Sequence, residues 1–282
     1  VLPSKESEVS ISINTNVLSL ITQRNLSANQ ETLSTSMARL SSGLRVNTSK
    51  DDAAGMAIAA RMETQVRGMA VAQRNAADAI SLSQVAEGAI GQVGTMLQRM
   101  RELAVQSANA TNSTSDRANL DAEFQQLGAE VTRTIANTQF NGIAILAGGA
   151  GTNNYQVGPN STDQVAVATT NLSSATQITG VTGGGITTAS AASSAMANID
   201  SALTLVNTQR ALMGAVQNRF SAMIEVLDVN RQNTSAAQGR IMDADFAAET
   251  ANLSRAQILQ QAGAAMVAQA NSLPQMALQL LR

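Results

Sequence analysis

The stretch Ser49–Met62, SKDDAAGMAIAARM, sets a serine, a lysine and two adjacent aspartates side by side, the residue types of a hydrolytic or metal-binding cluster. DADF (Asp243–Phe246) offers a second carboxylate pair, and GGAG (Gly148–Gly151) a glycine turn of the kind that cradles phosphate. Each lacks its partners. The 282-residue chain has no His and no Cys, which removes the commonest metal ligand, the side chain best suited to proton transfer near neutral pH, and any thiolate nucleophile. Carboxylates two apart on a helix do not face each other, and GGAG is not followed by the Lys-Ser/Thr of a phosphate-binding loop. A zinc peptidase motif H-E-x-x-H cannot be built without His. No catalytic, metal-binding or cofactor-binding residue is assigned. The plain reading of SKDD is a helix start: Ser49 caps it, Asp51 and Asp52 sit in its first turn at the positive dipole end, and Ser49 with Asp52 has capping-box spacing.

The elements that position these residues are helices. Aromatics make up 2% of the chain, with one Tyr, four Phe and no Trp, so burial falls to Leu, Ile, Val, Met and Ala, which suit helix-on-helix packing. Net charge is −2, with 16 Arg against 2 Lys, scattered rather than clustered; nucleic acid is not an expected partner. No apolar run reaches the roughly 18 residues of a membrane span. The start, VLPSKESEVS, lacks the pattern of a cleavable signal, and residues 1–9 are expected to be a non-native or upstream extension.

Along the chain, Leu26, Leu33, Met37, Leu40 and Leu44 form an alternating three-and-four pattern with Gln30 in its gap, and Gly43 offers a helix stop. A stripe of Leu82, Val85, Ala89, Val93, Leu97, Met100 and Leu103 marks a second helix. NATNSTSD (Asn109–Asp116) then makes a polar turn, with Ser115 or Asp116 as the next cap. Leu120, Phe124, Leu127, Val131 and Ile135 stripe a third helix, folded back antiparallel. From Phe140 to about Ser194, Gly, Asn, Ser and Thr thicken. Ile143–Leu146, Tyr155–Val157 and Gln164–Thr169 read as hairpin strands, and Thr179–Ser194 as a loose loop.

Helix resumes with a seven-residue spacing at Ile199, Val206, Met213, Phe220 and Leu227. At the C-terminus Leu259, Met266, Leu273 and Leu280 alternate with Gly263, Ala270 and Ala277, a large-and-small seam that another helix can approach closely; Pro274 should bend or weaken the last turns. Chain ends stay ordered only when something ties them down, so these terminal stripes, Leu26 to Leu44 and Leu259 to Leu280, are expected to form a polymerisation seam with other molecules.

Several segments resemble the bacterial flagellins. They are INTNVLSL (Ile13–Leu20), RLSSGLRVNTSKDDAAGMAIAARM (Arg39–Met62), RNAADAISLSQVAEGAI (Arg74–Ile90) and LQRMRELAVQSANATN (Leu97–Asn112), then FNGIAIL, YQVG, GAVQNRF, RIMDADFAAET and QILQQAGAAMVAQAN in the second half. The resemblance implies a mainly α fold of long antiparallel helices, with a terminal coiled coil formed by both chain ends and a small β-hairpin-rich central region. It also implies a layout: 10–48 and 240–282 as the two halves of the inner coiled coil, 49–194 and 195–239 as the helical core. Ser49, Asp51 and Asp52 would then stand at the joint between layers. With only Thr179–Ser194 where many flagellins insert outer domains, this is a minimal form.

The implied function is a secreted structural subunit, not an enzyme. Subunits are exported unfolded by the flagellar type III route and polymerise at the distal tip into the extracellular filament for motility. Implied partners are further copies of the chain, an export chaperone at the C-terminal helix, the filament cap and hook-junction proteins, and a Toll-like innate receptor contacting Arg99, Leu103 and Glu123. The bland reading of Arg99 and Glu123 is a surface ion pair. Two rival readings remain, a hook–filament junction protein sharing the terminal helices and a flagellin-like cell-surface protein binding a ligand. The near absence of aromatic rings speaks against sugar binding.

Overall fold

The computed structural model describes residues 15–280, with side chains omitted at 274, 275 and 277–280. Residues 1–9 and the side chain of Leu280 therefore lie outside the described residues. Among the described residues six helices and two small hairpins follow in order. They are α1 (Val17–Ser42), α2 (Ala53–Ala108), α3 (Thr114–Asn137), β1 (Gln139–Phe140), β2 (Ile143–Ala144), β3 (Thr152–Gln156), β4 (Gln164–Ala168), α4 (Thr176–Thr182), α5 (Ala189–Met242) and α6 (Phe246–Leu280). The mainly α fold with small antiparallel strand pairs is the expected one. The chain divides into a terminal unit, 1–63 with 235–282, and a central unit, 64–234; the division falls inside α2 and inside α5.

The central unit has the core. The seven-residue row of α5 is buried along its whole length, from Ile199 at 0% exposure to Leu227 at 7%. Ile199, Val206 and Met213 pack in one cluster with Ile90, Val93, Leu97, Met100 and Leu103 of α2 and Phe124, Val131 and Ile135 of α3, while Phe220 packs with Ala76 and Ala79 and Leu227 with Met69 and Ala72. Val85, expected in the α2 stripe, is exposed; Ala86 takes the inward position, because helical period carries the stripe from Leu82 through Ala86 to Ile90. The α3 cap is Ser113 rather than Ser115 or Asp116: its hydroxyl accepts from the Asp116 N–H, and the Asp116 carboxylate accepts from the Ser113 N–H. That reciprocal box leaves Asp116 at the third helical position.

Both hairpins are antiparallel. Asn141 and Gly142, at φ 50° and 79°, make the tight turn of the first, a conformation that suits an Asn-Gly pair. In the second, β4 alternates so that Val165 and Val167 face a cluster containing Ala76, Ala79 and Phe220, while Tyr155 meets the Phe220 ring edge-on at 5.8 Å between centroids. The expected loop at Thr179–Ser194 is shorter. α4 runs to Thr182 and α5 begins at Ala189. Hydrogen bonds from the Ile186 N–H to Asp121, the Gln125 amide to Gly184 O and the Ser107 hydroxyl to Ile186 O hold the intervening turn.

In the terminal unit α1 and α6 pack against each other as antiparallel partners from the two ends of the chain. Their contact uses small residues on α6: Ala256 and Ala270 are buried, and a side chain added at Gly263 would meet Leu26 Cδ1 at 3.2 Å. The helix continues through position 274 to Leu280, so proline does not end it.

Candidate functional site

Residues 43–56 form the turn that holds the aspartate cluster. Gly43, at φ 73°, ends α1 with its N–H bonded to Arg39 O. Leu44 then pairs with Asp243, Arg45 N–H donates to Met242 O, Ala244 N–H returns to Gly43 O, and Val46 is buried. Asp51 Oδ2 accepts from the N–H groups of Asn47 and Thr48 and from the Thr48 hydroxyl. Those Thr48 bonds, followed by the Asn47 bond, hold the Asp51 carboxyl below its ordinary pKa.

Asp52, not Ser49, caps α2. Its Oδ1 accepts from Gly55 N–H at 2.8 Å, and a Cβ at position 55 would collide with its carboxylate. The capping-box spacing misleads here because Asp51 ties Thr48 and Asn47 into a turn, with its own N–H on Thr48 O, so the helix cannot start before Ala53. Ser49 instead donates to Met56 Sδ. Asp245 accepts from Ala247 and Ala248 N–H and caps α6, while Asp243 sits in the bridge with Leu44. Among the described residues no group of acidic side chains could hold a metal ion. The aspartates bond to backbone, and backbone geometry is what they supply.

The expected polymerisation seam separates into two faces. Leu26, Leu33 and Leu40 are half-buried toward α6, together with Thr22, Asn29 and buried Ser36, so small polar residues fill the second row of the pattern. Gln30 and Met37, assigned there by hydrophobic spacing, point outward, and Leu44 has left the helix for the bridge. The reason is steric. A partner row of Ala256, Gly263 and Ala270 brings the helices close, and a Ser fits the resulting gap better than a Met. Polar contacts fix the register: Asn16 Nδ2 donates to Ala270 O at 2.8 Å, and Ser19 Oγ donates to Asn271 Oδ1 at 2.7 Å.

On the other face Leu259, Met266 and Leu273 are open to solvent, Met266 at 58% exposure. Sequence patterning missed further exposed apolar residues beside them: Val17, Leu18, Leu20 and Ile21 at the start of α1, and Ile258 and Met276 on α6. The run VLSLI, four apolar residues in five, was the available signal.

In the central unit Arg99 lies on α2 with Nη1 at 2.9 Å from Glu102 and Nη2 at 2.9 Å from Glu123 of α3, both bonds raising its pKa, the Glu102 one first. Arg99 and Glu123 are open to solvent; Leu103, one turn on, is 1% exposed and packs in the core. Leu103 is therefore no surface contact of this subunit, contrary to expectation, because the inward stripe of α2 passes through it.

The sequence matches the family model of the bacterial flagellin N-terminal helical region over residues 13–150 and that of the C-terminal helical region over 196–281. A flagellin of Halalkalibacterium halodurans is 44% identical over 270 residues, covering 96% of this chain and 99% of that one. The chain belongs to the bacterial flagellin family. A flagellar filament core protein of Brachyspira hyodysenteriae is 38% identical to this flagellin over 96% of its length and 99% of the relative's. The structure of a flagellar hook-associated protein from Vibrio parahaemolyticus, 14% identical, superimposes with a TM-score of 0.58 over 68% of this chain and 100% of that one, a likeness of fold alone.

Near-complete mutual coverage with a 270-residue match makes this a minimal flagellin, with no large outer domain between the matched regions. It is a structural subunit of the extracellular flagellar filament and serves motility; it is not an enzyme. No helix of the described residues is long and apolar enough to cross a membrane.

Proposed function

We propose that this flagellin polymerises by burying the outward row of its terminal unit, Leu259, Met266 and Leu273 with Met37 and the apolar start of α1, between copies of the chain. The observation that carries this is a mismatch inside the terminal unit. Twelve large apolar side chains are exposed there among the described residues, against four buried apolar residues, Val46, Ala59, Ala256 and Ala270. Exposed apolar surface of that extent marks an interaction face, and a filament of identical subunits supplies the cover. Deleting 257–282 is expected to leave the central unit folded, with its melting unchanged, and to abolish filament growth. Long filaments grown from the truncated chain would refute the assignment.

The remaining partners follow the same surfaces. The open row of α6 suits an export chaperone that shields it before assembly, and the cap and hook-junction proteins meet the same ends of the chain. The layout of 10–48 with 240–282 as inner coiled coil and 49–194 with 195–239 as helical core sets its first boundary at the turn that Asp51 and Asp52 organise, whereas the compact units divide later, inside α2 and α5. For the innate receptor, the exposed Arg99–Glu123 pair is the reachable part of the motif, with Leu103 supporting it from below. Purified subunit carrying Arg99→Ala is expected to lose stimulation of receptor-bearing cells; a parent subunit without stimulation would remove the receptor from the list of partners.

A further inference from the structure

All the sulfur of this chain is thioether: it has 12 Met and no Cys. A peroxide that reaches the subunit therefore meets no thiol that would consume it first, and methionine is its sulfur target. The fold distributes these thioethers unevenly. Met37, Met266 and Met276 are exposed, Met37 at 55%, and all three belong to the terminal unit. None of Met69, Met96, Met100, Met196, Met213 and Met223, the methionines of the central unit, is exposed, and three of these, Met69, Met100 and Met213, are buried. Met56 of the terminal unit is half-buried, and its sulfur accepts from the Ser49 hydroxyl.

Packing alone does not call for sulfur on the outward face. Met266 stands in one row with Leu259 and Leu273, and Leu and Met exchange in apolar contacts at small cost. What a thioether adds to that row is a reactive atom and a change of polarity. Oxidation turns a flexible apolar side chain into one that carries a strong S=O acceptor. A polar group buried without a donor costs free energy, so the same face that favours burial when reduced resists it when oxidised.

We infer that Met37, Met266 and Met276 form an oxidation site through which hydrogen peroxide turns the subunit from a form that assembles into one that does not. This site rests on the filament reading above, to which it adds a chemical control. In each step the thioether sulfur attacks one peroxide oxygen, the O–O bond breaks and an S–O bond forms. The transferred oxygen gives its proton to the departing hydroxide, which leaves as water. Sulfur is oxidised by two electrons and the peroxide is reduced by two. The return step takes two electrons from a dithiol through methionine sulfoxide reductases.

Free subunit treated with hydrogen peroxide and analysed by peptide mass is expected to gain oxygen at Met37, Met266 and Met276 at least about tenfold faster than at Met100 and Met213, whose sulfurs are reached only when the core opens. Chain oxidised at the three exposed residues should need a critical concentration for growth at least about tenfold higher, with the melt of the central unit unchanged. Methionine sulfoxide reductases with dithiothreitol should return that concentration to its untreated value. Chain carrying Met37→Leu, Met266→Leu and Met276→Leu is compared with itself: whatever its starting value, its critical concentration should not move on the same treatment. Equal oxidation rates at the exposed and buried methionines overturn the site. Unaltered growth of the oxidised parent, or an equal loss of growth in the leucine chain, overturns the switch. Failure of the untreated parent to grow from filament seeds would instead sink the filament reading.

Discussion

The terminal and central units use the same side chains and the same seven-residue spacing to opposite ends. In α5 the row Ile199, Val206, Met213, Phe220, Leu227 is buried within the subunit; in α6 the row Leu259, Met266, Leu273 is open. The difference lies in what stands opposite. α5 faces α2, α3 and a hairpin, three elements that close a core, whereas α6 has α1 on one side and turns its small residues, Ala256, Gly263 and Ala270, toward it. Periodicity thus declares that a helix has a face, and the size of the residues in that face decides whether the cover comes from the same chain. The central unit closes its core within the chain, and the terminal unit leaves its outward apolar row exposed.

The comparison breaks most plainly by emptying one position in each row. Phe220→Ala removes a fully buried ring that meets Tyr155 and is expected to destabilise the central unit by about 3–5 kcal/mol, read from the thermal melt of the free subunit. Met266→Ala is expected to leave that melt unchanged and to weaken filament growth. Equal losses of subunit stability from the two changes would erase the distinction between the units. A smaller effect tests the seam itself. Gly263→Val would drive methyl groups into Leu26 and force α1 and α6 apart, at a cost of about 1–3 kcal/mol to the terminal unit. The helical signal at 222 nm should fall with the central melt intact.

Much of this was legible in the sequence, and the misses share a cause. The three central stripes and the valine alternation of β4 were readable because a core selects large apolar side chains at fixed period. Met37 stood in one pattern with Leu26, Leu33 and Leu40 because hydrophobicity alone cannot separate the row that faces the alanines and glycine of α6, where Ser36 fits, from the outward row to which Met37 belongs. Val85 failed for a related reason, since Ala86 is the less hydrophobic residue and yet the inward one. At the candidate site, the sequence reading made the aspartates of SKDDAAG a helix start and placed the cap at Ser49, whereas Asp52 makes the capping bond. That error came from local spacing: the bonds from Thr48 and Asn47 to Asp51, and the space left at Gly55 for Asp52, are facts of the folded turn.

The cap supplies the next contrast. Asp52→Ala is expected to cost the terminal unit about 1 kcal/mol by freeing the first amides of α2. Ser49→Ala should cost little, since Ser49 makes only a hydroxyl–sulfur contact. Hydrogen exchange at the amides of Gly55 and Met56 separates the two, and a larger effect from Ser49→Ala would return the cap to the sequence-based position.

Acid provides the gentlest test. The terminal unit has Asp51 held below the ordinary value of 3.8 by its Thr48 and Asn47 bonds. The central unit has three such carboxyls: Asp116 lowered by its Ser113 bonds, Glu130 by the Arg133 pair, and Asp200 by the Arg101 pair. A carboxyl whose pKa is lower folded than unfolded adds stability above the unfolded value and loses it as pH falls through the folded one. Both units should therefore weaken below about pH 4, the central one through more groups, while with no His the stability should stay flat between about pH 5 and 8. Because these carboxyls are solvent-exposed, added salt should blunt the ion-pair contributions of Glu130 and Asp200 and spare the backbone-bonded Asp51. Melts at acid and neutral pH, with and without salt, in the parent and in Asp51→Asn, would read the terminal contribution directly. Salt sensitivity confined to the terminal unit would show that the exposed ion pairs of the central unit are too weakly held to matter.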